Sequence, residues 1–238
     1  MSNNLDNTEN FETLYLKIRR LENRVYTSEQ VAKLPYLKGT TAHSKEWKLR
    51  AKSAKRFGEY LAKNSFKSLL EIGCGNGWFS NYCSTFVDFT VGTDVNTTEL
   101  NQAISVFKKA NLTFIEADIF EETDFEESFD VVVFNASIQY FPGFDLLIQR
   151  VKRFLKPNGE IHIIDSPFYE KEVLEEAKKR TISYYQKMNV PEMSELYFHH
   201  LLDDVADFDQ LHVPHQTKLN RLLKGKDSPF CWYRKTLD

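Results

Sequence analysis

Short apolar segments alternate with amphipathic segments through the middle of the chain, and this pattern predicts strands and helices in turn. The predicted strands lie at 67–72, 89–93, 112–116, 129–134 and 160–164. The predicted helices lie at 78–86, after the N-cap candidate Asn96, and at 144–155, with a turn at 156–159 and a short helix or loop at 121–127. Strands that alternate with helices predict a parallel sheet covered on both faces.

Two amphipathic helices are predicted before the first strand. Apolar residues recur at helical spacing within 8–25 and 44–63, and Pro35 and Gly39 interrupt the pattern between them. Each helix has an apolar face that must pack on the main domain or on a second copy of the chain. We expect residues 1–64 to form a helical extension of the same domain that acts as a lid or as plain packing.

The C-terminal part is predicted to complete the sheet at one edge. A long helix is expected at 170–188, and a loop with a short helix at 189–204. Two last strands are expected at 207–213 and 229–235, with residues 218–224 between them. As a hairpin-like pair they would bring the sheet to seven strands. We therefore predict that 65–238 form the main domain, with 166–204 as an insertion on the substrate side.

The composition and net charge of the chain argue against several classes of function. The chain has 238 residues, 42% of them hydrophobic, a net charge of −3 and no apolar run that approaches a membrane span. The N-terminus is polar and lacks the features of a signal peptide. Three scattered cysteines, Cys74, Cys83 and Cys231, favour a reduced, cytoplasmic protein. The charge balance argues against nucleic acid as a partner, and a monomer or a homodimer is expected.

The most informative motif is a glycine-rich turn between a strand and a helix. Gly73, Gly75 and Gly77 alternate with other residues directly after an apolar run that ends in Glu71-Ile72. Trp78 stands where a dinucleotide fingerprint needs its third glycine, and no Walker lysine is present. The acid Glu71 would repel a pyrophosphate but would suit a ligand that carries an amine. A glycine-rich turn without a ligand is the simpler alternative.

This E-x-G-x-G-x-G sequence resembles the first motif of the class I, Rossmann-like methyltransferases that depend on S-adenosylmethionine (SAM). The resemblance implies an α/β fold with a doubly wound, mostly parallel seven-stranded sheet flanked by helices. Residues 135–140 lack the Pro-Pro-Tyr and Pro-Cys motifs of nucleic-acid-modifying relatives, so the chain is most similar to the small-molecule, ubiquinone-biosynthesis-like group. The implied function is methyl transfer to a small-molecule acceptor. A non-catalytic SAM-binding protein and an RNA or protein methyltransferase stay open as alternatives.

The resemblance also implies the cofactor contacts, which follow successive strands. Asp94 would accept hydrogen bonds from the ribose hydroxyls, as acids do in dinucleotide folds. Asp118 would bind the adenine amino group between the apolar walls Val95 and Ile119, and Asn135 would lie beside the methionine moiety. The expected cofactor-binding residues are Glu71, Gly73, Cys74, Gly75, Gly77, Asp94, Val95, Asp118, Ile119 and Asn135. We read Cys74 as a packing residue beside the cofactor, and no metal is expected.

The catalytic residues are less defined, because methyl transfer needs a base only when the acceptor must lose a proton. The candidates are Asp165, His43, His199 and His200, and Asp165 is best placed because it ends the fifth strand. Adjacent histidines point different ways on a helix, which argues against a metal pair at 199–200. The tyrosines that could line an acceptor pocket, or serve only as core residues, are Tyr140, Tyr169, Tyr184 and Tyr185.

Overall fold

The protein is seen in a computed structural model that describes residues 2–37, 43–121, 125, 128–214 and 227–237, with the backbone alone for 2–10. The predicted helix break at Gly39, most of the acidic segment 121–127 and the segment 218–224 lie outside the described residues. No helix within the described part is both long and apolar enough to cross a membrane.

The described residues form seven α-helices, three short 3-10 helices and seven β-strands. The α-helices are α1 (Ser2–Leu21), α2 (Ser28–Val31), α3 (Ser44–Asn64), α4 (Trp78–Cys83), α5 (Thr97–Val106), α6 (Phe144–Lys152) and α7 (Lys171–Lys187). The 3-10 helices are Ile138–Tyr140, Pro191–Leu196 and Leu202–Val205. The strands are β1 (Ser68–Ile72), β2 (Phe89–Asp94), β3 (Leu112–Glu116), β4 (Phe129–Asn135), β5 (Leu155–Ile164), β6 (Asp209–His212) and β7 (Trp232–Thr236).

All seven strands form one sheet in the order β3-β2-β1-β4-β5-β7-β6. The first five pair in parallel, whereas β7 runs antiparallel to both β5 and β6. The predicted α/β fold with a mostly parallel seven-stranded sheet is therefore confirmed. The strand order reverses between β1 and β4, and the carboxyl ends of the parallel strands meet at one edge, where open α/β sheets bind ligands.

The hydrophobic core consists of two layers, one on each face of the sheet. Along β4, Val132 and Phe134 pack into the layer that also contains Leu147 of α6. Val131 and Val133 point the other way, into the layer with Phe57 of α3. All of these side chains are fully buried, and each such burial stabilises the fold by about 1.5–3 kcal/mol. The apolar run at 129–134 is thus the doubly covered central strand that its composition predicts.

Some predicted boundaries shift. Helix α1 ends at Leu21, four residues before the predicted end, and Val25 is 56% exposed outside it. Helix α4 ends at Cys83 rather than at 86, and α6 ends at Lys152 rather than at 155. Helix α6 stops early because the next segment begins β5, in which Leu155 pairs with Phe129.

The predicted turn at 156–159 lies inside β5 as an irregularity. Phe129 pairs with Leu155, and Val131 pairs with Glu160. Residues 156–159 of β5 therefore lie opposite the single residue Asp130 of β4. Asn158 takes a left-handed conformation with φ of 60°, as turn residues do. The sequence signal for a turn was correct, but the chain resumes pairing with the same strand on both sides of it.

Gly77 is the N-cap residue directly before α4, and it has a left-handed conformation with φ of 74°. A Cβ on this residue would lie 2.5 Å from the Phe114 ring and 2.7 Å from the Ala103 Cβ. The absent side chain lets α4 pack closely against β3 and α5. Gly77 therefore serves helix–sheet packing, while the glycines before it line the cavities described below.

We predict that Gly77→Ala lowers the free energy of unfolding by about 2–4 kcal/mol, because overpacking adds to the strain of a positive φ. Gly143→Ala is the matched control, since Gly143 also has a positive φ of 62° but its Cβ would meet no atom closer than 3.9 Å. Urea titration of both variants measures the difference. Equal losses would show that the packing against Phe114 contributes nothing.

Candidate active site

The glycine turn after β1 is held against the end of β2. The N–H groups of Gly73 and Cys74 both donate to the Thr93 carbonyl, at 2.8 and 3.0 Å. The Gly75 N–H donates to the Asp94 carboxylate at 2.7 Å. Gly73 and Gly75 have φ values of 75° and 51°, which glycine adopts without a steric penalty. The turn thus brings β1 and β2 residues to one point.

Glu71 lies at the end of β1, fully buried beneath the turn. Its carboxylate accepts a hydrogen bond from the Ser80 hydroxyl of α4. Burial raises the pKa of Glu71 to about 8, against the opposing effect of the Ser80 hydrogen bond. The neutral form is therefore favoured at neutral pH, and a cation nearby would favour the ionised form.

A cavity of about 400 Å³, here called the strand-end cavity, opens beyond β2 and β3. Asp94, Val95, Asp118 and Ile119 all line it. Asp94 also accepts from the Asn96 N–H at 2.8 Å, and burial raises the pKa of its carboxyl group. Asp118 accepts from the Phe120 N–H at 2.9 Å. The cavity thus combines two carboxylates with apolar walls.

A second cavity of about 550 Å³, here called the tyrosine cavity, continues from the first across the glycine turn. All four tyrosines predicted for an acceptor pocket line it, and Tyr15 and Tyr197 join them. The predicted residues Glu71, Cys74, Asn135 and Asp165 line it too. The two cavities share Tyr15, Gly73, Gly75, Ala136 and Tyr140. One elongated ligand can therefore extend through both cavities.

Asp165 is the unusual acid of the tyrosine cavity. It follows β5 with a positive φ of 52°, a conformation that few residues other than glycine adopt. One carboxylate oxygen accepts from the hydroxyls of Ser53 at 2.8 Å and Ser228 at 2.6 Å. The other oxygen is buried and has no hydrogen-bond partner among the described residues. Burial raises the pKa of this carboxyl group.

The histidine candidates lie elsewhere. None of the three borders the tyrosine cavity as the described residues define it. His43 donates to the Glu22 carbonyl at 2.8 Å, and His200 donates to the Ile138 carbonyl at 3.0 Å. His199 hydrogen-bonds to the Thr181 hydroxyl at 2.9 Å. Burial lowers the pKa of both His199 and His200, so neutral rings are favoured.

Two predicted cofactor residues have other surroundings than the motif suggests. Gly77 borders neither cavity, because it is covered by Phe114 and Ala103. Cys74 lines the tyrosine cavity, and burial raises the pKa of its thiol, which keeps it neutral and unreactive. Among the described side chains no cluster of His, Cys, Asp and Glu is suited to a metal ion.

Helix α1 supplies site residues that the sequence analysis did not single out. Phe11 and Tyr15 line the strand-end cavity, and Tyr15 and Arg19 line the tyrosine cavity. The rings of Phe11 and Tyr15 both contact Tyr140, at centroid distances of 5.6 and 5.5 Å. The sequence feature that could have indicated them is the four-residue spacing of Phe11, Tyr15 and Arg19, which places three long side chains on one helix face.

Glu12 fixes α1 to the N-terminus of α5. Its carboxylate accepts from the Thr97 hydroxyl at 3.0 Å and from the Thr98 N–H at 3.0 Å. Burial opposes ionisation, but the hydrogen bonds from Thr98 and Thr97 outweigh it and lower the pKa of Glu12. A negative charge at a helix N-terminus is also favoured by the helix dipole. The helix therefore lies as a roof over both cavities.

Comparison with known proteins agrees with this arrangement. Residues 70–163 match the model of a family described as "Methyltransferase domain". A malonyl-[acyl-carrier protein] O-methyltransferase of Calditerrivibrio nitroreducens is 30% identical over 173 residues, which is 71% of this chain and 64% of the relative. A fatty-acid O-methyltransferase of Mycolicibacterium smegmatis is 32% identical over 107 residues, 44% of this chain and 39% of the relative. The chain thus spans less than two thirds of these relatives.

Solved structures share the fold at low sequence identity. An S-adenosylmethionine-dependent methyltransferase from Mesorhizobium loti aligns with a TM-score of 0.57 and 15% identity, over 79% of this chain and 99% of the other. The YcgJ protein of Bacillus subtilis aligns with a TM-score of 0.55 and 13% identity, over 78% and 96% of the two chains. The matched family, the relatives and the fold agree on one assignment. Residues 70–163 are similar to a methyltransferase domain, and the chain shares the fold of these solved structures.

Proposed function

We propose that this protein transfers a methyl group from SAM to a small-molecule acceptor held in the tyrosine cavity. The observation that carries the proposal is the meeting of two cavities at the glycine turn, one with acids at strand ends and one with a polar aromatic wall. SAM has an adenosine half and a methionine half, and the methyl group lies between them. A cofactor that spans the turn would therefore present its methyl group to the second cavity.

The residues of the strand-end cavity fit the adenosine half. Asp94 would accept from the ribose hydroxyls, since each carboxylate oxygen has lone pairs beyond those that Gly75 and Asn96 use. Asp118 would accept from the adenine amino group, with Val95 and Ile119 against the ring faces. Cavities with apolar walls and a few polar groups are typical of cofactor sites.

The tyrosine cavity receives the methionine half. Gly73 and Gly75 leave room for it, Asn135 borders it, and Glu71 would favour its ammonium group. Gly77 contributes to this site by placing α4 rather than by contact. Cys74 would pack beside the cofactor as an uncharged wall.

The transfer itself needs alignment more than functional groups. The acceptor atom forms a bond to the methyl carbon as the bond from sulfur to that carbon breaks, and sulfur leaves as a neutral thioether. The protein supplies proximity and an in-line approach. The O-methyltransferase names of the relatives support an oxygen atom as acceptor. We propose that this oxygen belongs to a protonated hydroxyl or carboxyl group and that the free oxygen of Asp165 takes its proton during the transfer.

The proposal also keeps two expectations from the sequence. A cytoplasmic location is supported by the free thiols of Cys74, Cys83 and Cys231. A monomer or a homodimer is expected. The named relatives give no support to the alternatives of a non-catalytic SAM-binding protein or a nucleic-acid methyltransferase.

The decisive test is product formation. Purified protein with SAM and a metabolite pool should form S-adenosylhomocysteine together with a methylated compound, identified by mass spectrometry. SAM binding without product from any pool would favour the non-catalytic alternative. Calorimetry with SAM and NAD tests the cofactor separately, and a response to NAD alone would refute the SAM assignment.

We predict that Asp94→Ala weakens SAM binding by about 1–3 kcal/mol, because the ribose hydroxyls lose their acceptor. Asp88→Ala is the matched control, since Asp88 immediately precedes the same strand at its far end and its side chain is 72% exposed. Isothermal titration calorimetry should show a normal affinity for the control. An unchanged affinity of the Asp94 variant would remove this residue from the site.

We predict that Asp165→Asn lowers kcat by about 10²–10⁴-fold and leaves SAM affinity unchanged, because the variant cannot take a proton. In the wild type, the base is protonated and inactive at low pH. Since burial raises the pKa of Asp165, the rate should rise with pH through a midpoint above the usual carboxyl range.

Ser53→Ala serves as the companion variant of the Asp165 test. The Ser53 hydrogen bond favours the ionised carboxylate, so its loss should move the midpoint to higher pH without abolishing the reaction. The measurement is kcat/KM against pH with an acceptor from the pool screen. Full activity of Asp165→Asn across the pH range would exclude a proton-accepting role.

A further inference from the structure

Arg19 of α1 is a partly buried cation, with 19% of its side chain exposed, and its buried Nε–H donor is unused. Its guanidinium lines the tyrosine cavity, and its Nε is buried without a hydrogen-bond partner among the described residues. The closest acid is Glu99, whose Oε1 lies 4.0 Å from that Nε. This distance permits electrostatic attraction but exceeds the length of a hydrogen bond. The Nε–H is one of the five N–H donors of the guanidinium, and the cost of leaving a buried donor unpaired points to a missing partner.

The other arginines that line the cavity have partners. Arg24 binds both carboxylate oxygens of Glu46, at 2.9 and 2.6 Å. Arg50 donates from Nε to the same Glu46 at 3.1 Å. Arg180 contacts Glu176 at 3.1 Å, and its side chain is 60% exposed. Among the described arginines of the cavity, Arg19 therefore stands out because its acidic neighbour is 4.0 Å away, beyond hydrogen-bond distance.

Arg19 lies next to the glycine turn. Its neighbour Glu99 approaches the turn so closely that a Cβ on Gly75 would be 2.9 Å from the Glu99 carboxylate. Gly75 in turn donates its N–H to Asp94. Asp94, the proposed ribose acceptor, is thus separated from the Arg19 guanidinium only by Gly75 and Glu99. Asp94 lines the strand-end cavity, and Arg19 lines the tyrosine cavity.

We propose that Arg19 binds the methionine carboxylate of SAM, so that α1 is a part of the cofactor site. The inference rests on the proposed function, in which the ribose binds at Asp94 and the methionine half crosses the turn. The carboxylate is the one anionic group of SAM, and the planar guanidinium matches it in a bidentate pair. Glu99 assists by holding the cation in place without using its hydrogen-bond donors.

The position of α1 explains why such a contact would matter. The helix lies outside residues 70–163, which match the family model, and is held on the cofactor side by Glu12 at the start of α5. A bond from Arg19 would anchor the last turns of the helix to the cofactor itself. The roof over both cavities would then be fixed most firmly when SAM is bound.

The experiment compares ligands that share adenosine but differ at the methionine end. Calorimetry on the full chain uses SAM, S-adenosylhomocysteine, decarboxylated SAM, which lacks only the carboxylate, and 5′-methylthioadenosine, which lacks the carboxylate and the amine. The variants are Arg19→Gln and the matched control Arg20→Gln, since Arg20 is the exposed next residue of the same helix. Thermal unfolding of each variant checks the fold, and Arg19→Gln combined with Glu99→Gln avoids leaving a buried acid unpaired.

We expect Arg19→Gln to weaken SAM and S-adenosylhomocysteine by about 10–100-fold, as for a lost hydrogen bond between charged groups. The two ligands without the carboxylate should change by less than about twofold, and Arg20→Gln should change none of them. Equal weakening of all four ligands, or the same selective loss in Arg50→Gln but not in Arg19→Gln, would overturn the assignment. Wild-type protein that binds neither SAM nor methylthioadenosine would instead refute the proposed function.

Discussion

The hydrogen bond from the Gly75 N–H to the Asp94 carboxylate joins the turn after β1 to the end of β2, and the site is built around this link. The Thr93 carbonyl strengthens it by accepting from Gly73 and Cys74. The parallel sheet brings its strand ends to one edge, where both cavities lie. The glycine turn, held in place at this edge, forms the boundary between them. The same carboxylate is partly buried and keeps lone pairs available, so the residue that holds the turn is also the one proposed to bind the ribose.

Helix α1 contributes to the lining of both cavities. Glu12 holds one part of this helix at the N-terminus of α5, and the Tyr184 hydroxyl of α7 donates to Glu22 just past its end. Between these anchors, Tyr15 and Arg19 face the ligand space. The sheet therefore provides one wall and an N-terminal helix the other. A lid and plain packing were the two expectations for residues 1–64, and the choice between them stays a prediction.

The sequence predicts the sheet side of the site well, because its residues follow strands and the parallel topology gathers strand ends. Asp94, Asp118 and Asn135 could be placed by this rule alone. Gly77 could not, since the atoms that require a glycine belong to Phe114 and Ala103, which are distant in sequence. The histidines were named by residue type, and nothing local shows that His43, His199 and His200 bond to neighbouring backbone or hydroxyl groups. Arg19 was missed because a charged residue on an amphipathic helix normally faces solvent.

The acceptor wall depends on parts of the chain that the family match does not cover. Asp165 follows β5 just past residue 163. Burial raises the pKa of its carboxyl group, and hydrogen bonds from Ser228 of the C-terminal segment and Ser53 of α3 act against this effect. The tyrosines of the cavity come from α1, the 3-10 helix Ile138–Tyr140, α7 and the segments on either side of α7. A common cofactor core with a separately assembled acceptor wall explains how similar sheets serve different acceptors. It follows that acceptor identity must be sought in the contacts of α1, α3 and the described residues at 165–214 and 227–230, and that a match to the core alone carries little information about it.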